Sequence, residues 1–234
     1  MEPTKAVVLL SGGVDSTTCL ALAIDDLGTK NVIALNMFYG QRHARELESA
    51  KAVAAHYGIP YYEMDMSCVM EYSNCPLLQH SDREIRHQSY GDQLAEMGGH
   101  GTVDTYVPFR NGLFLSAATA FAMSLGASVV YYGAHADDAA GCAYPDCSVA
   151  FATQMNGAIW EGTGKKVRLI APLIDKTKAQ VVELGLMLNA PYHLTWSCYE
   201  GGDKPCGKCG TCIDRAKAFA ANGVPDPALE VPHD

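Results

Sequence analysis

The sequence predicts a doubly wound α/β fold built around a five-stranded parallel sheet. Three observations carry that prediction. Short apolar runs recur without the in–out alternation of a half-solvated strand, which is the pattern of strands covered on both faces. Helix-length stretches separate them, at the spacing of right-handed strand–helix–strand crossovers. The most unusual polar loops come directly after such runs, where an open parallel sheet gathers its ligands.

Ala6-Val7-Val8-Leu9-Leu10 is the first strand. Ser11-Gly12-Gly13-Val14-Asp15-Ser16 then turns the chain into a helix expected from about Ser16 to Leu27, with Thr17, Thr18, Cys19 and Leu20 in its opening turns. Paired glycines let the main chain approach a ligand closely. Successive N–H groups followed by the positive end of a helix dipole favour an anion, here a phosphate chain. No Lys follows the glycines, so this is not the GxxxxGK[ST] loop. Asn31 to Phe38 reads as the second strand, ending in Tyr39-Gly40-Gln41-Arg42-His43. A helix from about Ala44 to Tyr57 follows, with Leu47, Ala50 and Ala54 on its apolar side. Gly58-Ile59-Pro60 stops it, and Tyr61 to Met66 is the third strand.

From Ser67 to Tyr106 periodicity fails, and a long, partly mobile excursion is expected, parts of which would close over the substrate. Order returns at Val107-Pro108-Phe109-Arg110-Asn111, before a helix of about Gly112 to Leu125 whose stripe is Leu113, Ala117 and Phe121. Ser128 to Tyr132 is the fourth strand, running into Gly133-Ala134-His135-Ala136-Asp137-Asp138 and then Ala143-Tyr144-Pro145-Asp146-Cys147. A helix (about Ser148 to Trp160), a fifth strand (Val167 to Ile170) and a helix from the Lys176–Lys178 turn to Leu188 complete the alternation.

Hydrophobic residues at 48% and charged residues at 18% of 234 describe a globular chain and exclude disorder. A formal net charge of −9 argues against extended nucleic-acid binding, which calls for a basic stripe. Neither a signal pattern nor a bilayer-length apolar run is evident, so a cytoplasmic location is expected. Of nine cysteines, four cluster as Cys198, Cys206-Gly-Lys-Cys209-Gly-Thr-Cys212. Four thiolates in so short a span indicate a closed, structural tetrahedral zinc site, with an iron–sulfur cluster as the rival.

Ser-Gly-Gly-Xaa-Asp-Ser after a buried strand resembles the PP-loop of ATP pyrophosphatases, which cleave ATP between the α and β phosphates and pass AMP to an acceptor oxygen. Taken with YGQRH at 39–43, RN at 110–111, YPDC at 144–147 and the cysteine cluster, the chain resembles the 7-cyano-7-deazaguanine synthase (preQ0 synthase) family from Lys5 to about Asn222. Where that family often has Gly before the RN pair, this chain has Phe109. The resemblance implies conversion of 7-carboxy-7-deazaguanine and ammonia to the nitrile at the expense of ATP with Mg²⁺, and a homodimer. It implies zinc over an iron–sulfur cluster. Residues 1–190 are expected to form the nucleotide-binding domain and 191–222 the metal segment with its terminal helix, while Pro225, Pro227 and Pro232 mark 223–234 as a loose tail.

On that reading Leu10 to Leu20 binds ATP, with the amides of Gly12 and Gly13 and the hydroxyls of Ser11 and Ser16 on the pyrophosphate. Asp15 accepts a hydrogen bond in the loop, helps place Mg²⁺, or merely caps the helix. Arg42, Arg110 and Lys178 are candidates to neutralise phosphate or carboxylate charge, with Lys176 competing for the last role. Asp138 and Asp146 are candidates for the guanine-like edge, because carboxylates accept from adjacent ring N–H and amino groups. Tyr39, Gln41, Asn111 and Tyr144 complete the substrate set; Tyr144 either stacks on the heterocycle or packs on the domain. His43 and His135 are proton shuttles or structural histidines. Cys147 is not needed as a nucleophile, since adenylation requires no thiol, and Cys19 reads as a small buried hydrophobe. A tRNA-modifying sulfur transferase and a zinc-ribbon binding module are the competing functions; the acidic charge weighs against the first and the intact loop against the second.

Overall fold

The computed structural model describes residues 4–230. β1 (Ala6–Leu9) leads through α1 (Val14–Leu27) to β2 (Val32–Phe38), and α2 (Arg45–Tyr57) leads on to β3 (Tyr61–Asp65). The excursion carries two short helices, α3 (Ser67–Met70) and α4 (Tyr90–Glu96), before α5 (Arg110–Ser124) and β4 (Val129–Tyr131). Then come α6 (Ala136–Ala139), α7 (Val149–Gly162), β5 (Arg168–Ile170), α8 (Lys178–Met187), α9 (Gly210–Ala221) and α10 (Pro227–Glu230).

The five strands form one sheet in the order β3-β2-β1-β4-β5, and every pairing is parallel. The unbroken apolar runs follow from this arrangement, because neighbouring residues of one strand enter different cores. In β1, Val7 joins the core under α5, while Ala6 and Val8 join the one under α1. In β4, Val130 enters the first core and Val129 and Tyr131 the second. After β1 the chain builds outward to β3, then returns to lay β4 on the other side of β1. The crevice between the carboxyl ends of β1 and β4 is therefore the switch point at which such sheets bind ligands.

Three expectations change. The excursion is a packed lobe: Cys75, Leu77, Leu78, Ile85 and Val103 are buried, and Arg83 and Arg86 both pair with Asp104. Its polar residues satisfy one another, so no period shows in the sequence. In α5 the buried face is Phe114, Leu115, Ala118 and Ala122, and the Leu113–Ala117–Phe121 stripe is only partly buried. That helix is apolar nearly all round, and periodicity cannot pick its inner side. Finally, the expected tail is anchored, with Asp226 and Ala228 buried; residues 231–234, Pro232 among them, lie outside the described residues.

Candidate active site

The Ser11–Ser16 turn is held by its own hydroxyls. The Ser11 amide donates to Ser16 Oγ at 3.2 Å, the Gly13 amide to Ser11 Oγ at 3.3 Å, and Ser16 Oγ donates to the Gly13 carbonyl at 3.2 Å. Gly12 has φ +86°, and a Cβ there would lie 2.5 Å from the Ala50 amide and 2.6 Å from the Glu46 carbonyl. Only glycine lets this turn press so closely on α2. Gly13 is the N-cap of α1 and brings no side chain to its first-turn amides. A helix leaves those amides without internal acceptors, which suits an anion.

Above this turn lies a cavity of about 670 Å³, within the range of small-molecule sites. Twelve of the expected residues line it: Leu10, Ser11, Gly13, Asp15, Ser16, Tyr39, Gln41, Arg110, Asn111, Asp138, Tyr144 and Lys178. Gly12, Val14, Thr17, Thr18, Cys19 and Leu20 do not; they pack behind the turn, with Thr18 Oγ1 2.7 Å from the Tyr192 hydroxyl and Cys19 and Leu20 fully buried.

Two expectations about individual residues are corrected. Arg42 turns away from the cavity, and its Nη2 donates to the carbonyls of Ser81 and Arg83, bracing the excursion. Asp146 is buried and does not line the cavity. Its Oδ2 accepts the Asn111 amide at 2.9 Å, so it satisfies the first turn of α5. Asn111 Nδ2 donates in turn to the Asp146 carbonyl and to Cys147 Sγ. Burial pushes the Cys147 thiol well above its ordinary pKa, which leaves it unsuited to nucleophilic attack. Phe109, at the N-cap of α5, has φ +54°, a left-handed conformation that glycine adopts without strain.

Charge at the turn is tightly paired. Lys178 Nζ meets both carboxylate oxygens of Asp15, and the Lys178 amide donates to Asp137 Oδ2 at 2.7 Å. Burial alone would raise the Asp15 pKa; Lys178 and His135 overcome it and hold the carboxyl below its usual value. Both Asp15 oxygens thus face the Lys178 ammonium. His135 is buried, with Nε2 3.6 Å from Asp15 Oδ1 and 3.3 Å from Asp138 Oδ2. Burial raises the Asp138 carboxyl above its usual range. Arg110 donates to the Tyr39 hydroxyl at 3.2 Å and lies over the Tyr39 ring, 5.1 Å from its centroid.

Sequence reasoning missed several wall residues. Glu46, on α2, faces the cavity, and burial pushes its carboxyl up to about 7 even though Arg110 opposes the shift. Tyr90 from α4 and Tyr199 from the cysteine segment share a 2.7 Å hydrogen bond, and the Tyr90 and Tyr144 rings pack edge to face. Tyr144 also bonds Thr105 Oγ1 at 2.5 Å. Ser197, Asp214 and Lys217 line the same space. No local pattern marks these residues, because the excursion and the chain's end must pack before they meet.

The four cysteines converge. Sγ atoms of Cys198, Cys206, Cys209 and Cys212 all lie within 4.8 Å of one another. Amides of Glu200 and Cys206 donate to Cys198 Sγ, and those of Lys208 and Cys209 to Cys206 Sγ, at 3.3–3.4 Å. Donors aimed at sulfur suit thiolates, so the set can hold one tetrahedral metal ion. This segment reaches the phosphate turn directly: the Trp196 amide donates to the Gly12 carbonyl at 3.0 Å, and Trp196 Nε1 donates to the Cys198 carbonyl at 2.7 Å. Behind it, buried Arg215 makes a two-point contact with Asp226 at 2.6 and 2.8 Å and donates to Thr195 Oγ1.

A family model described as "Queuosine biosynthesis protein QueC" matches residues 5–223. The chain is 42% identical to the 7-cyano-7-deazaguanine synthase of Archaeoglobus fulgidus, over 96% of this chain and 90% of that one. It is 38% identical to the enzyme of the same name from Oceanobacillus iheyensis (97% and 98% covered) and 40% identical to that from Thermoplasma acidophilum (97% and 92% covered). Among solved structures it is similar in fold to a glutamine-dependent NAD+ synthetase from Acinetobacter baumannii in complex with ADP, with a TM-score of 0.50 at 18% identity, covering 79% of this chain and 28% of that one.

Proposed function

The chain belongs to the QueC family of 7-cyano-7-deazaguanine synthases, and from that premise we propose how its cavity makes the product. It is an ATP-dependent ligase of queuosine biosynthesis. A carboxylate resists ammonia because oxide is a hopeless leaving group. Attack of the 7-carboxy oxygen on the α-phosphorus of MgATP expels pyrophosphate and gives an acyl adenylate. Ammonia displaces AMP to give the amide. A second ATP adenylates the amide oxygen, and loss of AMP leaves the nitrile.

The protein supplies positioning and charge neutralisation. The first amides of α1 and the Ser11 and Ser16 hydroxyls receive the pyrophosphate end. Lys178, already paired with Asp15, sits at the floor of the site, and Arg110 faces the acceptor carboxylate. Tyr39, Tyr90, Tyr144 and Tyr199 wall the heterocycle. The four cysteines hold zinc, which takes no part in the reaction and fixes the segment that carries Trp196 and Tyr199. The enzyme acts in the cytoplasm on small molecules, without nucleic acid, as a homodimer.

The observation that carries this reading is the meeting of the phosphate turn and the cysteine segment on one cavity through the Trp196–Gly12 hydrogen bond. Its test is to incubate the protein with ATP, Mg²⁺, ammonium and 7-carboxy-7-deazaguanine, and to follow AMP, pyrophosphate and the mass of the deazapurine. Substrate-dependent AMP with nitrile mass is expected. AMP made only when tRNA is added would replace this reading with a tRNA-modifying one.

A further inference from the structure

Proton balance demands a group that the reaction scheme leaves unnamed. Ammonium arrives carrying four protons and the nitrile nitrogen keeps none. Two leave as ammonium becomes the amide, and two more as the adenylated amide loses AMP. Both carboxylate oxygens depart on AMP, so neither step disposes of the nitrogen's protons by itself. A base beside the phosphate turn must take them.

We propose that Asp138 is that base and that His135 is the residue that positions it. The inference rests on the reaction assigned above. Among the described acids that line the cavity, which include Glu46 and Asp214, Asp138 is the one linked to the phosphate turn through His135. Both oxygens of Asp15 are held by Lys178 Nζ, Asp137 Oδ2 accepts the Lys178 amide, and Asp146 is buried behind the cavity wall. Asp138 lines the cavity with its side chain 26% exposed, and its Oδ2 lies 3.3 Å from His135 Nε2. The same Nε2 lies 3.6 Å from Asp15 Oδ1. One buried imidazole therefore ties the base to the phosphate turn, beside the place where the acyl–phosphate bond forms.

The buried His135 ring lies against both carboxylates, so it confines Asp138 beside the turn, where its carboxylate can receive a proton from nitrogen. The proton then leaves through the open mouth of the cavity. Other charges face Asp138 from each neighbouring element: Asp15 from α1, Arg110 from α5 and Lys178 from α8. Asp214 and Lys217 of α9 line the same space. Burial raises the Asp138 carboxyl above its usual range and His135 opposes that rise; the net direction, upward, makes a carboxylate a better proton acceptor.

Two assays on the full-length protein separate the steps. Exchange of labelled pyrophosphate into ATP, dependent on 7-carboxy-7-deazaguanine and run without ammonium, reads adenylation alone; amide and nitrile formation with ammonium reads the nitrogen steps. Asp138→Asn, checked for folding by circular dichroism, should slow the nitrogen steps roughly 100-fold more than exchange. Formate should restore part of that loss in Asp138→Ala. His135→Gln should move the acidic limb of the nitrogen steps, compared at constant free ammonia, to higher pH, because His135 lowers the Asp138 pKa. Equal loss of exchange and nitrogen steps in Asp138→Asn would make Asp138 a binding residue and overturn the proposal. So would failure of formate to rescue, or the same selective loss in Glu46→Gln. Absence of exchange in the unaltered enzyme would instead remove the underlying reaction.

Discussion

Lys178 Nζ lies 2.6 Å from each carboxylate oxygen of Asp15, so the start of α8 and the start of α1 meet as one ion pair at the base of the phosphate turn. Because the Asp15 pKa is lowered, this pair stabilises the fold fully above the ordinary carboxylate range, and its contribution disappears as pH falls through the lowered value. Lys178→Met should cost about 2 kcal/mol at neutral pH, between the values of exposed and buried pairs. The deficit should shrink as pH falls through the lowered Asp15 value, because the pair no longer contributes there, as read from urea titrations over a pH series.

Glu46 behaves in the opposite sense. Its carboxyl is raised to about 7, so the folded state favours the neutral acid, and stability declines as pH rises through that value. Glu46→Gln should flatten this decline and raise the melting temperature at mildly alkaline pH. A melting curve that falls as steeply as the unaltered protein's would contradict the assignment.

Gly12→Ala should be severe. A left-handed alanine costs about 1–2 kcal/mol, and the new methyl would meet backbone of Ala50 and Glu46 that has no room to move. A total loss of about 3 kcal/mol is expected in denaturant unfolding, together with loss of substrate-dependent pyrophosphate exchange.

Arg215 and Asp226 form a buried two-point pair, each side chain 7% exposed. Removing one partner strands a charge, at a cost of about 3–5 kcal/mol. Asp226→Ala should therefore destabilise the protein far more than Arg45→Ala, whose partner Asp203 is fully in solvent. Comparing the two midpoints in urea is the check.

Metal analysis should find about one zinc atom per chain. Cys206→Ser should lose it and lower the melting temperature. Pyrophosphate exchange should fall too, because the cysteine segment holds the Trp196 amide on Gly12. A brown protein absorbing near ~400 nm would replace zinc with an iron–sulfur cluster.

What the sequence disclosed divides along the range of the interactions. The strands were legible because residues such as Val7 and Val8 are apolar for two different cores, which leaves an unbroken run. The phosphate turn and the cysteine set were legible because their partners lie within a few residues. Arg42 and Asp146 misled because their partners lie elsewhere in the chain, at Ser81, Arg83 and the α5 amide. Tyr90 and Tyr199 gave no signal at all, since only the packed excursion brings them together. Phe109 sits between these cases: its place before Arg110 was visible, while its positive φ was not.

The hydrogen bond from Trp196 to Gly12 also makes the phosphate turn depend on a distant stretch of sequence. One wall of the phosphate turn is contributed by a segment far from it in the sequence. That segment is secured by Arg215 and Asp226, later still. A chain cut between the SGGVDS turn and Trp196 would carry the complete ATP signature without the wall that finishes the site. The SGGVDS signature is therefore not a finished site by itself, and its use depends on both stretches being folded together.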